Sequence, residues 1–282
     1  MMIITDTASD IFEDEAAELG IEVVPLDIAF GDEHTTSNTP EAFARFYELL
    51  ESRSDFPKTS QPSPEAYLAL YEQARATGEE VLVIALSGAL SGTVESARMA
   101  AEMSGYAGRI TVMDSRHAIA SERFLVEYAV KLRAEGRSAR EILPRLEDLR
   151  DRIRICGVLD SLEYLKRGGR VPAALAAIGD LLRIKPVVAV DDGRVESIGK
   201  THGRHAGEKF LRRELERLPR DESWPVAVLY SRDTRLSDEF AADLNERYGL
   251  ENIRSIQIGP TIGAHLGPDC VGLAFVAAEP IA

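Results

Sequence analysis

Short apolar runs that read as strands take turns with segments of helical spacing along this 282-residue chain, and that alternation constrains its fold more than any other feature. In the first half the apolar runs are Met2–Thr5, Ile21–Phe30, Val81–Leu86, Ile110–Met113 and Ile153–Val158. Between them, Ile11–Leu19, Glu41–Leu50, Glu65–Ala76, Val94–Met103, Ala120–Ala134 and Ala139–Asp151 space their apolar residues as helices do. This order predicts a parallel sheet covered by helices on both faces. Gly20, Gly78 and Gly136 each follow a helical segment, where a left-handed cap suits glycine. After about residue 158 the rhythm changes. Val187–Val190 and Val195–Ile198 flank Asp191-Asp192-Gly193, a hairpin signature, and helices (Ala206–Leu218, Leu236–Arg247) then alternate with strands near Val226–Tyr230, Ile253–Ile258 and Val271–Val276. The expectation is an α/β protein of two domains, with a parallel sheet in 1–158 and a mixed sheet in 159–282.

A chain this long exceeds what one core usually organises, which agrees with two domains. Its 47 acidic and 33 basic residues give a net charge of −14, which repels phosphate backbones and anionic membranes and argues against a nucleic-acid partner. Cys156 and Cys270 sit in apolar stretches and read as buried, reduced thiols of a cytosolic protein. The opening Met1-Met2-Ile3-Ile4-Thr5-Asp6 has the character of a strand entering a polar turn, and no segment has the apolar length of a membrane span. The expected localisation is cytoplasmic.

Three loops could hold an anion. The strand Val81–Leu86 runs into Ser87-Gly88-Ala89-Leu90-Ser91-Gly92-Thr93, and a helix begins at once. Ligands of open α/β sheets gather at such strand ends, and free amides at a helix start favour negative charge. Capping of the helix by Ser91 or Thr93 is the competing account. A second loop, Lys58-Thr59-Ser60-Gln61-Pro62-Ser63-Pro64, uses Ser63 and Pro64 to start a helix but leaves Thr59, Ser60 and Gln61 without a structural task. In the third, His265 stands within the glycine-rich Gly259–Pro268, either as a structural donor or as the partner of a ligand oxygen. Familiar signatures fail here. Gly88 and Gly92 are too close for a P-loop and no lysine follows, while Gly88-Ala89-Leu90-Ser91-Gly92 is not a nucleophile elbow. The five histidines and two cysteines show no metal-ligand spacing, so neither a metal nor a cofactor is expected.

Taken in order, Ile3–Asp10, Thr59-Ser60-Gln61-Pro62-Ser63, Leu86–Thr93, Asp114-Ser115, Leu165–Val171 and Gly263–Pro268 resemble the DegV family over nearly the whole chain. The resemblance implies a long-chain fatty acid held in a tunnel at the domain junction, its carboxylate gripped by Thr59 and Ser91 with His265 beside it. Ser60, Gln61, Ser87, Gly88, Gly92, Thr93 and Gly263 would shape the supporting loops. The resemblance further implies a non-catalytic carrier, the acyl-presenting subunit of a bacterial fatty acid kinase, with an ATP-dependent kinase as partner and phospholipid synthesis downstream. The family's basic docking cluster is diluted at Gly199–His205, leaving Lys200 and Arg204, with Arg167 and Arg170, as docking candidates. The small residues of Pro172–Leu182 suit a tunnel wall or close helix packing. Two other functions stay open: an acyl hydrolase or transferase using Ser91, His265 and Asp114, and a regulatory module whose lipid is structural.

Overall fold

The structure, a computed structural model, describes residues 1–171 and 184–281. The stretch considered as a tunnel wall, Pro172–Leu182, lies outside them. Four parallel strands form the first sheet: β1 (Met2–Asp6), β2 (Glu22–Val24), β6 (Val81–Ala85) and β7 (Ile110–Asp114), in the order β2-β1-β6-β7. The second, mixed sheet has six strands in the order β10-β9-β8-β13-β11-β12, comprising β8 (Ile153–Val158), β9 (Ile184–Asp191), β10 (Arg194–His202), β11 (Val226–Tyr230), β12 (Ile253–Gln257) and β13 (Val271–Val276). The expected α/β class, with a parallel and a mixed sheet, is what folds.

The period of two along the strands decides the layering. On β6, Val81, Val83 and Ala85 pack towards α3 (Pro64–Thr77) and α4 (Thr93–Met103), while Leu82 and Ile84 face the opposite way. On β8, β11 and β13, Ile155, Leu229 and Ala274 join Leu82 and Ile84 in a single core that also takes Phe124 and Leu125 of α5 (Ala120–Ala134). The alternate residues Val158, Val228 and Leu273 pack in a separate cluster with Leu211 of α8 (Arg204–Arg217) and Phe240 of α9 (Thr234–Tyr248). The two sheets therefore share a buried layer, and α5 lies in it.

Two departures from the expected elements matter for the site. The run Ile21–Phe30 is not one strand: it splits into β2 and β3 (Asp27–Phe30), and β3 joins β4 (Glu33–Thr35) and β5 (Lys58–Ser60) in a small antiparallel sheet. An apolar run does not say which edge each half will pair with. Sheet membership also changes one strand before residue 158, because β8 pairs antiparallel with β13 and β9. The hairpin forms at the expected place, with Asp192 and Gly193 both at positive φ, 42° and 77°, the twist that suits a two-residue turn. Gly20, Gly78 and Gly136 are left-handed, at φ of 59°, 73° and 79°.

Candidate functional site

Thr59 sits on β5, not in a loop. Its pairing opposite Ile28 turns it inward while Lys58 and Ser60 stay exposed. The next residue, Gln61, packs where a side chain on Gly92 would lie and donates from Nε2 to Ser96 Oγ at 3.0 Å, locking this segment onto the start of α4. Ser91 belongs to the turn after β6, closed by the amides of Leu90 and Ser91 donating to the Ser87 carbonyl at 3.0 and 3.1 Å. Asp6 anchors the root of that turn by accepting from the Leu86 amide at 2.7 Å. Ser91 and Thr93 share a hydrogen bond at 2.8 Å.

His265 lies on a short helix, α10 (Pro260–Leu266), where the sequence reading expected a loop. Pro260 at the first helical position and Gly267 at φ 84° delimit it, so the same Gly and Pro residues that read as loop punctuation are its two ends. The helix α2 (Pro40–Ser52) places it: Tyr47 donates to the Ile258 carbonyl at 2.8 Å, and Tyr47 and Phe46 pack on the side-chain-less face of Gly263. Thr261 shares a 3.1 Å hydrogen bond with Thr7. On the remaining face, His265 Nε2 stands 3.0 Å from Thr59 Oγ1. Burial, helped by the Arg170 charge, pushes the imidazole down to about 4, so the ring is neutral near pH 7.

Thr59, Ser60, Gln61, Ser91, Arg170 and His265 line one end of a cavity of about 330 Å3, within the range of small-molecule pockets. Leu90, Val195, Ile262 and Leu266 are shared with a second cavity of about 70 Å3 that lies against β8, β9, β11 and β13 of the mixed sheet. That inner space is almost wholly apolar. Gly157 of β8 and Gly272 of β13, register partners on the face turned to the shared core, floor this space as a trench, and neither has room for a side chain: a Cβ on Gly272 would fall 2.6 Å from the Cys156 carbonyl oxygen and one on Gly157 3.3 Å from Cys270 Sγ. The two cavities form one cleft with a polar mouth and an apolar interior.

The remaining predicted residues scatter. Ser87 is buried and donates to the Gly193 carbonyl at 2.7 Å, tying the β9–β10 hairpin to the mouth loop, and Gly88 donates its amide to Asp114. Arg167 stacks on Phe56 and pairs with Glu163, Lys200 is exposed on β10, and Arg204 pairs with Glu208 on α8. Arg170, also expected as a docking residue, lies in the cavity wall, where its Nε and Nη1 donate to the Leu90 and Gly168 carbonyls at 3.1 and 2.7 Å. Thr261, Leu26 and Val195 also line the cleft and carry no local signal in the sequence.

A serine-histidine-carboxylate relay is not assembled. Among the described residues Ser91 is paired with Thr93, His265 faces Thr59 with no partner on Nδ1, and the Asp114 carboxylate accepts from the Gly88 and Arg116 amides. Below the mouth lie three buried carboxyls. Burial raises Asp6 to about 6 and lifts Asp10 and Glu122 well above the usual range.

The model of the uncharacterised protein family DegV, COG1307, matches residues 1–278. A DegV domain-containing protein of Caldanaerobacter subterraneus subsp. tengcongensis is 32% identical over 274 residues, covering 97% of either chain. Among solved structures, a DegV family protein from Thermus thermophilus, described for its fatty acid binding, superposes with a TM-score of 0.87 at 30% identity and covers 98% of this chain and 99% of its own. DegV of Bacillus subtilis, a fatty acid binding protein, gives 0.85 at 26% identity over 98% and 99%.

Proposed function

The chain belongs to the DegV family, and on that premise we propose that it binds one long-chain fatty acid with its carboxylate at Thr59, Ser91 and His265. The observation that carries this reading is the cleft itself, which joins a mouth of hydroxyls and a neutral imidazole to an apolar interior against the mixed sheet. An acyl chain gains about 0.8 kcal/mol for each methylene taken out of water, so the interior supplies affinity and the mouth supplies orientation. The binding of fatty acids by its Thermus and Bacillus relatives supports the same assignment. Native mass spectrometry of the purified protein, followed by lipid extraction, tests it. A stoichiometric adduct with the mass of a fatty acid is expected. Protein that is empty, and stays empty when offered such acids, would end the proposal.

The finer role is presentation of the bound acid, in the cytoplasm, to an ATP-dependent kinase that phosphorylates the carboxylate. Its support is the character of the mouth. Hydroxyls hold a carboxylate without neutralising the oxygen that must attack phosphorus, and Arg170, the one guanidinium in the wall among the described residues, has two of its donors committed to backbone carbonyls. Arg167, Arg170, Lys200 and Arg204 remain the docking candidates. Incubating loaded protein with an ATP-binding fatty acid kinase subunit and [γ-32P]ATP should yield labelled acyl phosphate. Loaded protein that supports no labelling would remove the presentation role and leave binding standing.

A further inference from the structure

We infer that the Gly168–Arg170 turn holds the His265 ring from behind, with Gly168 as the positioning residue. The consequence for ligand rests on the carboxylate grip proposed above; the geometry does not. His265 Nδ1 is buried and has no hydrogen-bond partner among the described residues, so none of them fixes the plane of the ring through that nitrogen, as a partner usually does. Packing does it instead. A Cβ built on Gly168 would fall inside the imidazole at Nδ1 and within 2.8 Å of Cε1.

The backbone of Gly168 gives no other reason for glycine. It lies at φ −75° and ψ −8°, where any residue is at ease, and the atom next nearest to such a Cβ after the two of the ring is the Tyr164 carbonyl oxygen at 3.2 Å. The following residue is the reverse case. Gly169 is left-handed at φ 71°, and a Cβ there would meet nothing within 4 Å. Of the two adjacent glycines, one leaves room for the ring and the other allows the chain to turn. Arg170 then fixes the turn at both ends, donating to the Gly168 carbonyl and to the carbonyl of Leu90, the residue before Ser91. One turn thus sets the distance between the His265 and Ser91 arms of the mouth.

The pair of glycines supplies the test. Gly168→Ala, Gly169→Ala, His265→Ala and the Gly168→Ala/His265→Ala double variant would be compared by 15N NMR of the imidazole in ligand-free protein, by thermal unfolding, and by fatty acid titration. Gly168→Ala should move the His265 ring signals and weaken fatty acid binding about tenfold or more, the scale of one lost hydrogen bond to a carboxylate. Gly169→Ala should lower the melting temperature by about 3 °C and leave ring signals and affinity unchanged. In the His265→Ala background Gly168→Ala should have no further effect on binding. Unmoved ring signals in Gly168→Ala, or an equal loss of affinity with and without His265, would overturn the inference. Should Gly168→Ala not fold, the double variant decides: recovered folding supports the inference and continued failure refutes it. Because the ring signals are read without ligand, they judge the inference even if the chain binds no fatty acid.

Discussion

At the mouth of the cleft, polar side chains arrive from four different segments: Thr59, Ser60 and Gln61 from β5 and its end, Ser91 from the turn after β6, Arg170 from the turn after α7 (Glu163–Arg167), and His265 from α10. The trench is floored by two paired glycines on β8 and β13, where an added side chain would meet strand backbone or Cys270. The mouth depends on atoms being present at particular points. The trench depends on atoms being missing. The two regions should therefore fail in opposite ways, the mouth when groups are removed and the trench when groups are added.

The largest effect is expected in the trench. Gly157→Val suits a strand, but its branched side chain must enter space where a Cβ alone would already stand 3.3 Å from Cys270 Sγ. Displacing several methylenes at about 0.8 kcal/mol each predicts at least a hundredfold loss of affinity for a long-chain acid, measured by calorimetry. A short-chain acid should bind as before. Equal losses for both would erase the distinction between the regions.

Removing mouth groups should cost less. Thr59→Ala and Ser91→Ala are each expected to weaken binding about tenfold, or about 1–2 kcal/mol, with Thr59→Ser largely retaining affinity. These variants should lose affinity by a similar factor whatever the acyl length, which titration with a chain-length series would show.

The pH dependence of stability separates the mouth from the carboxyls beneath it. The His265 pKa falls from 6.5 to about 4 mainly through burial, so between those values the unfolded chain binds a proton that the native state refuses. Stability is lost as pH falls through that window, and His265→Gln should flatten the slope by at most about 1.4 kcal/mol per pH unit. Asp6, raised by burial from 3.8 to about 6, has the opposite sign: the native state takes up its proton first, and stability is gained as pH falls from 6 towards 4. Asp6→Asn should steepen the acid loss. Urea midpoints across this range measure both, and His117, also held near 4 by burial, keeps part of the acid loss in every variant.

The smallest effect belongs to the hairpin tip. Its exposed ion pair, Arg116 with Asp192 at 3.0 Å, should contribute less than about 0.5 kcal/mol, since the buried Ser87 hydrogen bond already ties the tip down. Arg116→Ala should leave chemical denaturation and ligand affinity nearly unchanged.

The alternation of elements, the hairpin at Asp192-Gly193 and the left-handed glycines were legible because each follows from local periodicity or a single backbone preference. The polar loops were legible as unexplained donors, and the resemblance gathered Thr59, Ser91 and His265 before the structure placed them around one cavity. Neighbours brought by tertiary packing were not legible. Nothing near Arg170 in the sequence says that its guanidinium will reach the Leu90 carbonyl, and nothing in Ile21–Phe30 says that β2 and β3 will join different sheets. The trench was hidden for the same reason, because Gly157 and Gly272 acquire meaning only as register partners.

The buried layer shared by the two sheets has a consequence for how the chain matures. Ile3, Leu82, Ile84 and Phe124 belong to segments synthesised early, yet they are covered in part by Ile155, Leu229, Ala274 and Val276, the last of which lies almost at the end of the chain. Ile153 at the start of β8 likewise waits for Val276 as its register partner. The first sheet and α5 therefore form one half of a layer whose other half is supplied by strands later in the sequence, so closing the buried layer couples the folding of the two sheets.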